Sequence, residues 1–145
     1  MGQAFEDTAN DFIDAMAAAL DNLSGGADHR PECVIEASNL VSAFIDADGR
    51  HTRTELDGWI GALGTKLSPP MIVTTQVLRD DNTFGGRAEW LDRPSTMFDL
   101  LFKADAQDRG RRANEYYRLA MALAHATAAI DLVPSSTEVE AIDRF

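Results

Sequence analysis

Four carboxylates stand out by type and spacing: Asp48 and Glu55, answered 83 residues later by Asp131 and Glu138. The first pair lies in Asp48-Gly-Arg-His-Thr52-Arg-Thr54-Glu55 and the second in Asp131-Leu-Val-Pro-Ser135-Ser-Thr137-Glu138, so both copies read D-x-x-x-[ST]-x-T-E. Paired oxygen ligands of this kind suit a hard divalent cation, calcium or magnesium, with Asp46 as a further donor. An EF-hand beginning at Asp46 is excluded. Its fifth position would be Arg50, its sixth His51 where glycine is required, and its twelfth Asp57 rather than glutamate. Much of the motif has a structural reading as well. Thr52-x-x-Glu55 and Ser135-x-x-Glu138 are capping boxes, each worth about 1 kcal/mol to its helix. Capping leaves Asp48 and Asp131 unexplained. Both follow apolar helices, where a negative charge meets the unfavourable end of the helix dipole. An Asx-turn, a cation or a basic side chain must offset that charge.

The elements that position these acids follow from apolar spacing, which is helical nearly throughout. Phe5, Phe12, Ile13, Met16, Leu20 and Leu23 form one stripe, ended by Ser24-Gly-Gly-Ala-Asp. A second helix opens near Pro31, a good first-turn residue, with Val34, Ala37, Leu40, Val41, Phe44 and Ile45 inward. A third carries Leu56, Trp59, Ile60 and Leu63 and ends at Gly64. Ser68-Pro69-Pro70 reads as the start of a fourth, running through Met71, Ile72, Val77 and Leu78. Residues 80–94 show no sustained period and read as the longest loop, pinned to the core by Trp90 and Leu91. Ser95 caps a fifth helix carrying Met97, Phe98, Leu101 and Phe102. Asp108-Arg-Gly-Arg-Arg112 breaks it. A long sixth helix aligns Tyr116, Ala120, Leu123, Thr127 and Ile130, and a seventh begins after Ser135. Ile72-Val73-Thr74-Thr75 is β-branched but short. The expected fold class is all-α, with about seven helices.

Sliding residues 34–62 over 117–145 aligns Ala37 with Ala120, Leu40 with Leu123, Ala43 with Ala126, Asp48 with Asp131, Thr54 with Thr137 and Glu55 with Glu138. Core residues and motif residues repeat together, as they do when a whole helix–turn–helix is duplicated. Residues 1–145 then form a single domain, with a first repeat unit at 31–63 and a second at 114–145. The chain stops at Phe145, about two to three turns into its last helix. That end fits either the N-terminal part of a longer protein or a short natural last helix.

Composition narrows the partners. A net charge of −11 disfavours a nucleic-acid backbone or an anionic membrane. Residues 1–60 carry 12 acids against 3 bases, whereas residues 61–125 carry 8 against 9, so one face is expected to be acidic. No apolar run approaches membrane-spanning length. Cys33 is the single cysteine, which suits a reducing compartment and reads as a buried apolar residue. No phosphate loop, nucleophile elbow or zinc helix is present. His29, His51 and His125 are scattered, with His51 read as solvated in the first motif turn. Arg109, Arg111 and Arg112 form a corner that reads as a solvated turn, and Asp105 and Asp108 could extend the acidic surface. Tyr116 and Tyr117 read as one core and one surface residue.

A helix ending in acid, Asp48-Gly49, followed by a Ser/Thr-x-x-Glu helix start and repeated in two halves, resembles the tellurite-resistance TerB-like domains over residues 31–145. The resemblance implies a cytoplasmic all-helical domain of two related halves, tied to bacterial stress response, with a metal-binding surface at Asp48, Glu55, Asp131 and Glu138. It implies a non-catalytic sensing or protein-interaction domain that works with a protein partner. Such domains also occur as N-terminal attachments to ATPases, so an accessory domain joined to a C-terminal partner domain, with purely structural acids, is the alternative. A metal-assisted hydrolase around the same acids is a third reading, for which the sequence names no base. The second copy departs from the pattern by placing Leu132 opposite Gly49 and Pro134 in the turn.

Overall fold

The structure, a computed structural model, describes residues 2–25, 28–47, 51–67, 70 and 74–130. Six helices account for most of it: α1 (Gly2–Ser24), α2 (Arg30–Asp46), α3 (Arg53–Ala62), α4 (Thr75–Asp80), α5 (Thr96–Asp108) and α6 (Arg112–Ala128). Short 3₁₀ segments follow α3 at Gly64–Lys66 and precede α5 at Arg87–Asp92. Among the described residues there is no strand, and the fold is all-α. None of the helices is long and apolar enough to cross a membrane.

α2 is the central element. It packs against α1, α3, α6 and the Arg87–Asp92 segment. Eleven of its 17 residues are buried, so its periodicity is weaker than that of a surface helix. Three of those eleven are polar. Ser38 and Ser42 satisfy their hydroxyls on the carbonyls of Val34 and Asn39. The third is Glu36. The stripe expected on the sixth helix holds along its length, since Tyr116, Ala120, Leu123, Thr127 and Ile130 are all at most 5% exposed. α1 fills the space between α6 and α2 with Phe5, Phe12, Ile13 and Met16, whereas Leu23 lies at the exposed end of its stripe.

Local chemistry sets most helix ends. The Thr52–Glu55 box is formed in full: Thr52 Oγ1 accepts from the Glu55 amide at 3.2 Å, and Glu55 Oε1 accepts from the Thr52 amide at 3.1 Å. Thr74 and Ser95 cap α4 and α5 in the same way, each accepting from the amide three residues on. The fourth helix differs from the sequence expectation. Its described turns begin at Thr75, Pro70 is exposed and non-helical, and residues 68–69 and 71–73 lie outside the described set. Thr74, with a hydroxyl that can cap, supplies the boundary that the prolines were expected to supply.

The segment before α5 is more ordered than its sequence suggests. Phe84 is 1% exposed and meets Trp59 edge-on at 5.0 Å, and the Arg87 guanidinium lies over its ring, 5.0 Å from the centre. A Cβ at Gly85 would fall 2.3 Å from Asn82 Nδ2 and 2.8 Å from its Cγ, so any larger residue would displace the Asn82 side chain. Truncating Phe84 would cost about 3–5 kcal/mol by the usual scale for buried aromatics. Trp90 and Leu91 rest half-buried on the core, as expected. On α5 the apolar run splits: Leu101 is buried, but Phe102 is 61% exposed.

Candidate functional site: a polar cleft on the central helix

A cleft of about 690 Å³ opens between α2 and the segment leading into α5. Its floor is the slanting row Glu36, Asn39 and Ser42, spaced three residues apart on α2, and its far wall runs from Gly86 to Trp90 and from Arg93 to Thr96. An adjoining cavity of about 310 Å³ shares Trp90, Arg93, Pro94 and Ser95 and continues inward to Phe98 and Tyr116. Both volumes are typical of small-ligand sites.

Glu36 is the unusual residue of this floor. It is 8% exposed, and burying a carboxyl is costly unless donors surround it. Two hydroxyls do so. Ser95 and Tyr116 each donate to Glu36 Oε2 at 2.5 Å. Among the described residues no hydrogen bond is made to Oε1, and Glu36 lines the cleft. The Tyr116 hydroxyl is held far above the usual phenol range, first by burial and then by the neighbouring Glu36 charge and hydrogen bond. Its ring is gripped edge-on by Phe12 and Phe98, both at 5.3 Å. Ser95 has a second task, because the same Oγ accepts from the Phe98 amide and so caps α5. A carboxyl on the central helix is thereby joined through one hydroxyl to the start of a different helix.

The other end of the cleft is fastened by Asp46 and Ser42. Asp46 Oδ2 accepts from the Ala88 amide at 2.9 Å, and Oδ1 lies 2.9 Å from His51 Nε2. The His51 side chain is 11% exposed, so it is not the solvated turn residue that its position in the motif suggested. Arg87 donates to Ser42 Oγ at 3.2 Å. Arg93 lies exposed on the extended stretch before Pro94. Among the described residues neither arginine has a carboxylate partner.

Of the four acids singled out by the repeat, Asp48, Asp131 and Glu138 lie outside the described residues, as do the seventh helix and the second repeat unit beyond Ile130. Glu55 is described. It is completely buried, and its Oε1 accepts from both the amide and the hydroxyl of Thr52. Both oxygens of Asp46, the proposed helper, are taken by His51 and Ala88. Among the described residues no three His, Cys, Asp or Glu side chains are grouped to hold a metal ion. Glu55 closes the cap of α3, and Asp46 joins the end of α2 to His51 and Ala88.

Asp105 and Asp108 are drawn into the joint between α5 and α6. Asp105 accepts from the amides of Arg112 and Ala113 at 3.0 and 2.8 Å, capping α6 from the preceding helix because Arg111 offers no capping side chain. Arg112 pairs with both aspartates, and this pairing holds the Asp108 carboxyl below its usual range. The arginine corner is thus a helix joint, with Arg109 in the left-handed conformation at φ 59°. Cys33 is fully buried, and its thiol is pushed up to about 12 by burial and then by Glu32, Glu36 and Asp21.

The sequence contained one signal for the cleft that periodicity alone does not reward: Glu36, Asn39 and Ser42 are polar residues on the inward side of an otherwise apolar helix. Their partners Ser95, Arg87 and Tyr116 lie 45 to 80 residues away, so no spacing rule could join them. No family model, curated protein or solved structure matches the chain.

Proposed function

We propose that this chain is a non-catalytic, TerB-like sensing module that takes a small polar ligand in the α2 cleft and presents the result to a protein partner. The observation that carries this reading is Glu36, a carboxyl kept on the most buried helix by two dedicated hydroxyl donors while still lining a cleft. A carboxyl with no task there would be replaced at little cost by an apolar residue. The route from cleft to surface also supports it. Ser95 links Glu36 to the cap of α5, and α5 carries the exposed apolar side chains Leu100 and Phe102. A ligand that redistributes the hydrogen bonds of Glu36 acts on the first turn of the helix that displays them.

The non-catalytic part of the reading rests on how the reactive groups are held. The Cys33 thiol is buried with its proton affinity raised, which suppresses the nucleophilic thiolate. The Tyr116 hydroxyl is likewise kept protonated. The test is a library of small polar metabolites screened by amide and indole NMR shifts. Shifts should cluster at Glu36, Asn39, Arg87, Trp90 and Ser95. Clustering at the motif turn around Thr52, or on the outer face of α5, would refute the cleft as the input site.

A further inference from the structure

The charges lining the cleft narrow the class of ligand, an inference that rests on the α2 cleft being the input site. Four formally charged side chains line it, two of each sign: Glu36 and Glu89, Arg87 and Arg93. A ligand with only positive charge would meet both arginines, and one with only negative charge would meet both glutamates. Glu36 and Arg87 are also separated. Arg87 is anchored on Ser42, six residues along α2 from Glu36, which places its guanidinium about 9 Å from Glu36 measured along the helix. Glu36 is fixed by two hydrogen bonds through Oε2, and Arg87 is fixed by Ser42 and the face of Phe84. Fixed charges of opposite sign at a set distance are pre-organised for a complementary dipole, which lowers the cost of ordering on binding.

We infer that the cleft binds a zwitterion whose ammonium and carboxylate lie several bonds apart, an ω-amino acid or a molecule of dipeptide size. The ammonium donates to Glu36 Oε1, the carboxylate accepts from Arg87, and the apolar stem lies along Trp90. An α-amino acid, whose charges are roughly 3 Å apart, cannot reach both fixed groups at once.

The test compares three probes that share one carbon chain: 6-aminohexanoate, hexanoate and hexylamine. Each is titrated into the whole chain while the Trp90 indole resonance is followed. The zwitterion should bind at least tenfold more tightly than either singly charged probe. Arg87→Met should reduce its affinity to that of hexylamine, and Glu36→Gln should reduce it to that of hexanoate. Melting curves check that each variant is folded. If Glu36→Gln does not fold, the wild-type comparison and Arg87→Met still decide the question. Binding of hexanoate or hexylamine within tenfold of the zwitterion overturns the assignment of ligand class while leaving the cleft as a binding site. No response of Trp90 to any probe overturns the class as well, and the metabolite screen then judges the site separately.

Discussion

Removing a single oxygen at Tyr116 probes the centre of the cleft. Tyr116→Phe keeps a ring of the same shape between Phe12 and Phe98 and deletes only the donor to Glu36 Oε2. A hydrogen bond to a carboxylate contributes roughly 1.5–3 kcal/mol, and here the group left behind is buried, with Ser95 as its remaining donor. The expected loss is about 2 kcal/mol. For a domain of this size each kcal/mol moves Tm by roughly 2–4 °C, so Tm should fall by about 4–8 °C. Urea unfolding should show a lower midpoint with an unchanged slope, since the buried surface is the same. A double-mutant cycle with Glu36→Leu should give a coupling of at least about 1 kcal/mol, because both changes remove the same contact. A loss below about 0.5 kcal/mol, or simple additivity in the cycle, would mean that Tyr116 does not support Glu36, and the account of the cleft would fail.

Three further outcomes are expected from the same geometry. The folded-state pKa of Cys33, about 12, exceeds its ordinary value of 9.0, so the native protein keeps a proton that the unfolded chain has released. Stability should be fully present below pH 9 and fall by up to about 1.4 kcal/mol per pH unit as pH rises toward 12, with Tyr116 adding the same sign above pH 10. Denaturant midpoints of Cys33→Ala between pH 9 and 10 should show a flatter decline, and an identical slope would contradict the burial argument. Asp105→Ala should destabilise by about 1–2 kcal/mol and speed hydrogen exchange in the first turn of α6, because it removes that helix's cap. Unchanged exchange there would reject the cap. Glu55→Gln preserves a capping box, so adding millimolar calcium or magnesium should shift its Tm by the same amount as that of the wild type. A cation-dependent gain present in the wild type and absent in the variant would make Glu55 a ligand after all.

What was legible in the sequence was whatever local rules govern. Helix starts at Thr52 and Ser95 followed from a hydroxyl ahead of an apolar run. The stripe from Tyr116 to Ile130 and the division between buried Tyr116 and exposed Tyr117 followed from a period of 3.6. Phe84 was missed because it stands alone in a segment without a period, and only Trp59 and Arg87 arriving from elsewhere enclose it. His51 was misread for a related reason. Its position in a polar turn says nothing about Asp46 at the end of the preceding helix, which draws the ring inward. Phe102 shows the converse, since it shares the apolar run of the fifth helix with buried Leu101 and yet no described element covers it.

The repeated acids illustrate the same boundary. Sequence could say that Glu55 closes a capping box, because the amide and hydroxyl it meets are three residues away and come with the helix start. It could not say that Glu36 would be buried and held by two hydroxyls. Taken alone, Glu36 is one acid among many in a chain of net charge −11. Its role arises because α2 lies at the centre of the bundle, where solvation is withdrawn and two hydroxyls from α6 and the start of α5 replace it. Helix class, caps and core stripes are written in neighbouring residues and survive in the chain itself. Burial of a charge, and the partners that make it tolerable, exist only once distant segments pack together.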